Sequence, residues 1–69
     1  MNNINKSLGK LLKQCRKERK LKLIDISNLT GMKVCQLSKI ENGYNSVSIV
    51  TLNKILEALD LEIVFKNKK

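Results

Sequence analysis

The sequence predicts an all-α domain of four short helices followed by one short C-terminal β-strand. Three observations predict it: apolar residues recur at three- and four-residue steps through four segments, turn signals at Gly31 and Asn42-Gly43 punctuate them, and strict alternation replaces the helical period over residues 61–66. The 69 residues leave room for a single small domain. At that size folding buries only about 60% of the surface the unfolded chain exposes, so no large catalytic cleft is expected.

Ile4, Leu8, Leu11, Leu12, Cys15 and Arg19 form the stripe of an amphipathic first helix over residues 5–20, with Lys6, Lys10, Lys13 and Lys17 on the opposite face. Ile24, Ile26 and Leu29 give a second helix of about two turns, which Thr30-Gly31 ends because glycine accepts the left-handed conformation. A tight turn through Met32 and Lys33 leads into a third helix over residues 34–42, with Leu37 and Ile40 inward and Asn42-Gly43 as its stop. Residues 43–46 read as a turn. Ser46 or Ser48 can cap a fourth helix, in which Ile49, Leu52, Ile55, Leu56 and Leu59 keep the helical period to about residue 60.

Leu61, Ile63 and Phe65 then alternate with Glu62, Val64 and Lys66, the pattern of a strand with one apolar face. No other segment of the chain reads as a strand, and an unpaired apolar strand is a liability. The simplest closed solution is antiparallel pairing with the same segment of a second copy, which would put Leu61, Ile63 and Phe65 at a dimer interface. The expected organisation is one domain over residues 1–69: a helical core over 5–60, the strand over 61–66 and a basic tail over 67–69. There is no internal repeat and no low-complexity segment.

Fourteen Lys and Arg against six Asp and Glu give a net charge of +8, which points first to acidic polymers as partners. The charge is uneven: residues 1–22 carry +7, residues 23–65 carry −2, and Lys66, Lys68 and Lys69 add +3. There is no His, which removes the commonest general base, and Asp25, Glu41, Glu57 and Glu62 show no pairing that spacing supports. No catalysis and no small-molecule substrate are expected. Tyr44 and Phe65 are the only aromatic residues, too few for stacking single-stranded bases.

Cys15 and Cys35 stand twenty residues apart with no ligand-type neighbour, so neither a metal nor a cofactor is expected. The chain begins without the apolar run and cleavage site of a secretory signal, so a reducing cytoplasm is the expected location. The longest apolar runs are far below the ~20 residues of a membrane span. A basic first helix lying on a membrane surface is the weaker reading, because Leu12 and its neighbours are needed to close so small a core.

Two short helices joined by a tight turn, in a very basic chain, form a helix-turn-helix arrangement whose second helix enters the DNA major groove. At about 100° per residue, Cys35, Ser38, Lys39 and Asn42 lie opposite Leu37 and Ile40, with Val34 and Gln36 on the flanks. One face packs and the other reads.

Over residues 8–59 the sequence resembles the Cro and CI repressor-like (XRE-type) helix-turn-helix regulators, whose fold is of the lambda repressor type. The residues that carry the resemblance are Arg16, Leu21, Ile26-Ser27, Gly31-Met32, Leu37-Ser38, Ile40-Glu41-Asn42-Gly43 and Thr51-Leu52. The resemblance implies a structural ion pair between Arg16 and Glu41, base reading by Lys33, Val34, Cys35, Ser38 and Lys39, and phosphate contact around Asn42 and Asn45. Gln36 and the Tyr44 hydroxyl are further phosphate candidates. Lys22 and Leu23 stand where many relatives have Ser or Thr followed by Gln, so the usual cap and phosphate-binding glutamine are missing. Val34 and Cys35 replace residues that are often polar, which leaves them apolar contact, as with a thymine methyl, instead of amide pairing with adenine. Cys15, on the apolar stripe, is expected in the core.

The tail resembles that of the HipB-type antitoxins that partner HipA-type kinases. The reading that follows is a repressor that binds double-stranded DNA sequence-specifically as a homodimer on a pseudo-palindromic operator. Its rival is an antitoxin whose main role is to hold a toxin protein, with DNA binding for autoregulation.

Overall fold

Four helices form in the order that the apolar periodicity predicts. The computed structural model describes residues 4–67, and its elements are α1 (Ile4–Glu18), α2 (Leu23–Thr30), α3 (Val34–Glu41) and α4 (Ile49–Ala58). Lys68 and Lys69 of the expected basic tail lie outside the described residues.

The helix ends follow one backbone rule. After α1, Lys20 takes a positive φ of 58°, its N–H donates to the Lys17 carbonyl at 2.9 Å, and the Leu21 N–H donates to the Arg16 carbonyl at 3.1 Å. That is a Schellman ending, which satisfies carbonyls the helix leaves unpaired. The same ending follows α3 at Gly43 and α4 at Asp60, with Tyr44 donating to Lys39 and Leu61 to Leu56. α2 stops through the simpler bond from the Gly31 N–H to the Ser27 carbonyl at 2.8 Å. α1 and α4 therefore end two residues earlier than their apolar periods imply. Of the two serines able to cap α4, Ser48 does so, accepting from the Thr51 N–H at 3.1 Å, while the Ser46 hydroxyl accepts from the Asn5 amide at 3.1 Å.

The core is Leu12 from α1, Ile26 from α2, Leu37 and Ile40 from α3, and Ile55, Leu56 and Leu59 from α4 and its end. α1 packs on α3, and α2 packs on both α3 and α4. The inward face of α1 differs from the expected stripe. Leu8 and Cys15 pack against the core, but Ile4, Leu11 and Arg19 are exposed, and Gly9, Leu12 and Arg16 are the buried residues. This face turns inward because Gly9 lets α1 close onto the backbone of α3 and Arg16 pairs there with Glu41.

Residues 61–66 form no strand among the described residues. A strand needs a partner for its backbone groups, and the chain offers none. Leu61 turns back onto the core, and residues 61–64 border an apolar cleft of 360 Å³ with Leu8, Leu11 and Leu12 of α1 and Leu52 and Leu56 of α4. Phe65, at the end of this segment, is 91% exposed.

Gly9 sets how closely α1 approaches α3. A β-carbon there would collide with the backbone carbonyl oxygen of Ile40 and lie 2.5 Å from that of Glu41. Alanine would gain about 1 kcal/mol of helix propensity, but backbone carbonyls cannot rotate aside, and such overlap costs typically ~1–3 kcal/mol. Gly9→Ala is therefore expected to lower the melting temperature, whereas Lys20→Gly, which relieves a left-handed lysine, is expected to raise it. Thermal denaturation followed by circular dichroism checks both.

Candidate nucleic-acid interface

The turn between α2 and α3 is tied by two hydroxyl side chains. The Ser27 hydroxyl donates to the Met32 carbonyl at 2.5 Å, and the Thr30 hydroxyl donates to the Ile26 carbonyl at 2.7 Å while accepting from the Met32 N–H at 3.2 Å. Together with Gly31 at φ 77°, these bonds set the path by which α3 leaves α2. At the start of α2 the Asp25 carboxylate accepts from the Lys22 N–H at 2.7 Å. This is half of a capping box, since a lysine side chain has no acceptor for the other half.

α3 buries Leu37 and Ile40 and holds Glu41, at its end, against α1. Lys33, Val34, Cys35, Gln36 and Lys39 are exposed, and Ser38 is half-buried. The Ser38 hydroxyl accepts from the Asn42 amide at 3.4 Å. Asn42, Tyr44 and Asn45 are exposed in the connection to α4. The residues assigned by resemblance to bases and to phosphates thus lie along α3 and the loop that follows it.

α3 is held by a bidentate ion pair. Arg16 donates from Nε to Glu41 Oε2 at 2.8 Å and from Nη2 to Glu41 Oε1 at 3.0 Å, and its Nη1 donates to the Leu21 carbonyl at 2.8 Å. The two side chains are only 10% and 11% exposed. The hydrogen bond with Glu41 pushes the Arg16 guanidinium above its ordinary value, burial opposes this, and the charge of Glu41 adds to the rise, so the arginine stays charged through the working pH range. Nε, Nη1 and Nη2 each donate in the plane of the fork, a geometry that lysine could not reproduce.

Sequence reasoning missed Gly9, the turn bonds of Ser27 and Thr30, and the Asn5–Ser46 contact. For Ser27 and Thr30 a signal existed: two hydroxyl residues flanking the end of a short helix before Gly31 are suited to local turn bonds. No group of three or more His, Cys, Asp or Glu residues among the described residues could hold a metal ion, and both cysteines are free thiols, Cys15 half-buried and Cys35 exposed. No described helix is long and apolar enough to cross a membrane.

These features define a helix-turn-helix protein, and a helix-turn-helix family model matches residues 12–66. The chain belongs to the XRE-type helix-turn-helix family of DNA-binding regulators. It is similar to the ImmF control region 10 kDa protein of Bacillus phage phi105, with 40% identity over 58 residues, covering 84% of this chain. The chain spans 64% of that relative's length.

Glu41→Ala would leave Arg16 charged and desolvated and is expected to destabilise the fold by roughly 3 kcal/mol. Lys39→Ala removes an exposed side chain and is expected to leave stability within about 0.5 kcal/mol. Urea denaturation of both variants checks the orientation of α3, which is wrong if the two effects are reversed.

Proposed function

We propose that this DNA-binding regulator is a cytoplasmic, homodimeric repressor that acts sterically on a pseudo-palindromic site. The observation that carries the reading is the outer face of α3: basic, polar and small apolar side chains stand exposed together on a helix whose other face is locked into the core. In this reading Lys39, Lys33 and Ser38 hydrogen-bond base edges, Val34 and Cys35 contact thymine methyl groups, and Gln36, Asn42, Tyr44 and Asn45 meet phosphates. Two copies insert their α3 helices into successive major grooves roughly 34 Å apart and exclude polymerase or a competing regulator. The chain works as one domain, with no cofactor and no chemistry.

Support for the homodimer comes from the exposed apolar residues after α4. Ile63 and Val64 line a cleft with exposed Leu11 of α1, Phe65 after them is exposed, and a second copy pairing its own 61–66 segment would cover Leu61, Ile63 and Phe65 from both sides. The phage origin of the similar control-region protein fits a repressor. The antitoxin reading uses the same exposed segment but offers it to a toxin protein.

Duplex DNA should be bound in preference to a single strand, with affinity that falls steeply as salt rises. Equal binding to both forms in a fluorescence anisotropy titration would end the reading. On an operator found by selection, Lys39→Ala and Ser38→Ala should each weaken specific binding, by at most the ~1–3 kcal/mol of a good base contact. A chain ending at Asp60 should sediment as a monomer where the full chain is a dimer. If the full chain is a monomer, or the chain ending at Asp60 is still a tight dimer, the two-fold pairing of residues 61–66 is abandoned.

A further inference from the structure

A shallow cleft of 390 Å³ lies between α1 and the C-terminal end of α3, lined by Lys6, Ser7, Lys10, Lys13, Glu41 and Asn42. It is positively charged. Its one carboxylate, Glu41, already gives both oxygens to Arg16, so it does not neutralise the three lysines. The lysines are exposed and the Asn42 side chain is exposed beside them.

A row of lysines on a helix is usually a solvated face. Here three contacts fix the row against the loop that follows α3. Gly9 brings α1 onto the carbonyls of Ile40 and Glu41. Gly43 sits so close over Lys6 that a β-carbon would lie 2.7 Å from its Cγ. The Asn5 amide donates to the Ser46 hydroxyl. The cleft therefore borders the start of the loop after α3, with Asn42 in its lining and Gly43 against Lys6. The positive strip also has an end: beyond Lys13 it meets Glu18, whose carboxylate accepts from Gln14 at 3.4 Å beside Lys17.

We propose that this cleft is a backbone-phosphate site, in which Lys6, Lys10 and Lys13 hold the DNA strand as it leaves the α3–α4 loop, extending the footprint past the base-reading helix. The inference rests on duplex binding by this chain. The site reads no bases; it adds sequence-independent affinity and fixes how the domain sits on the strand.

The test is a salt series of titrations of the full chain with a generic duplex, comparing the unaltered protein with Lys13→Gln, the double variant Lys10→Gln/Lys13→Gln and the charge-matched control Lys54→Gln. Lys54 is exposed on α4, in a separate cleft with Leu29, Thr30 and Glu57. The slope of log K against log salt should become shallower by about 0.9 for each phosphate contact removed by a cleft substitution, and should stay unchanged for Lys54→Gln. If Lys13→Gln and Lys54→Gln give the same slope as the unaltered chain, the cleft is a solvated face and the proposal is overturned while duplex binding stands. If the unaltered chain does not bind duplex, both fall. Should the double variant fail to fold by circular dichroism, Lys13→Gln against Lys54→Gln decides alone.

Discussion

A bidentate ion pair between Arg16 and Glu41 ties α1 to the end of α3. Glu41 is the last residue of α3, and Arg16 reaches it from α1 while also holding the carbonyl of Leu21, where the chain turns toward α2. One side chain thereby joins three pieces of a domain whose apolar core is small. Gly9, about two turns earlier on the same face of α1, closes the remaining distance to α3. With the end of α3 pinned and Leu37 and Ile40 buried, the helix cannot rotate about its axis, and the direction of Cys35 and Lys39 is settled by default. The ion pair contributes orientation more than stability, since pairing two buried charges mainly offsets the cost of desolvating them.

The turn divides the same task differently. Ser27 and Thr30 use hydroxyls to tie down the backbone around Met32, so α3 leaves α2 along one path without any proline in the chain. Neither α2 nor α3 has a side-chain hydrogen bond at its N-cap, where lysines stand. Asp25 partly compensates in α2, both through its bond to the Lys22 N–H and through its charge near the positive end of the helix dipole. α3 has no acidic residue in its first turn.

Much of this could be read from the sequence, for identifiable reasons. The four helices were legible because Leu12, Ile26, Leu37, Ile40, Ile55, Leu56 and Leu59 follow the helical period in short segments. The outer face of α3 followed from the two buried positions Leu37 and Ile40, although Ser38 is half-buried where the wheel alone puts it with Cys35 and Lys39. The ends of α1 and α4 were hidden because Lys20 and Asp60 take the left-handed conformation that glycine normally announces. The inward face of α1 was misplaced because its contact residues are Gly9 and Arg16, which a search for apolar residues passes over. The alternation after α4 reports which side chains share a face. It does not supply the second strand that a ladder of hydrogen bonds requires.

The proposed contact is between duplex DNA and the outer face of α3, whose inner side is held by Leu37, Ile40 and the Arg16–Glu41 pair. The most direct measurement is a backbone amide NMR titration of the full chain with a short duplex containing its site. Shifts are expected to concentrate at residues 33–39 and 42–46, with the amides of Arg16 and Leu37 little changed. Shifts confined to α4 and residues 61–65, with α3 unperturbed at saturating duplex, would contradict it.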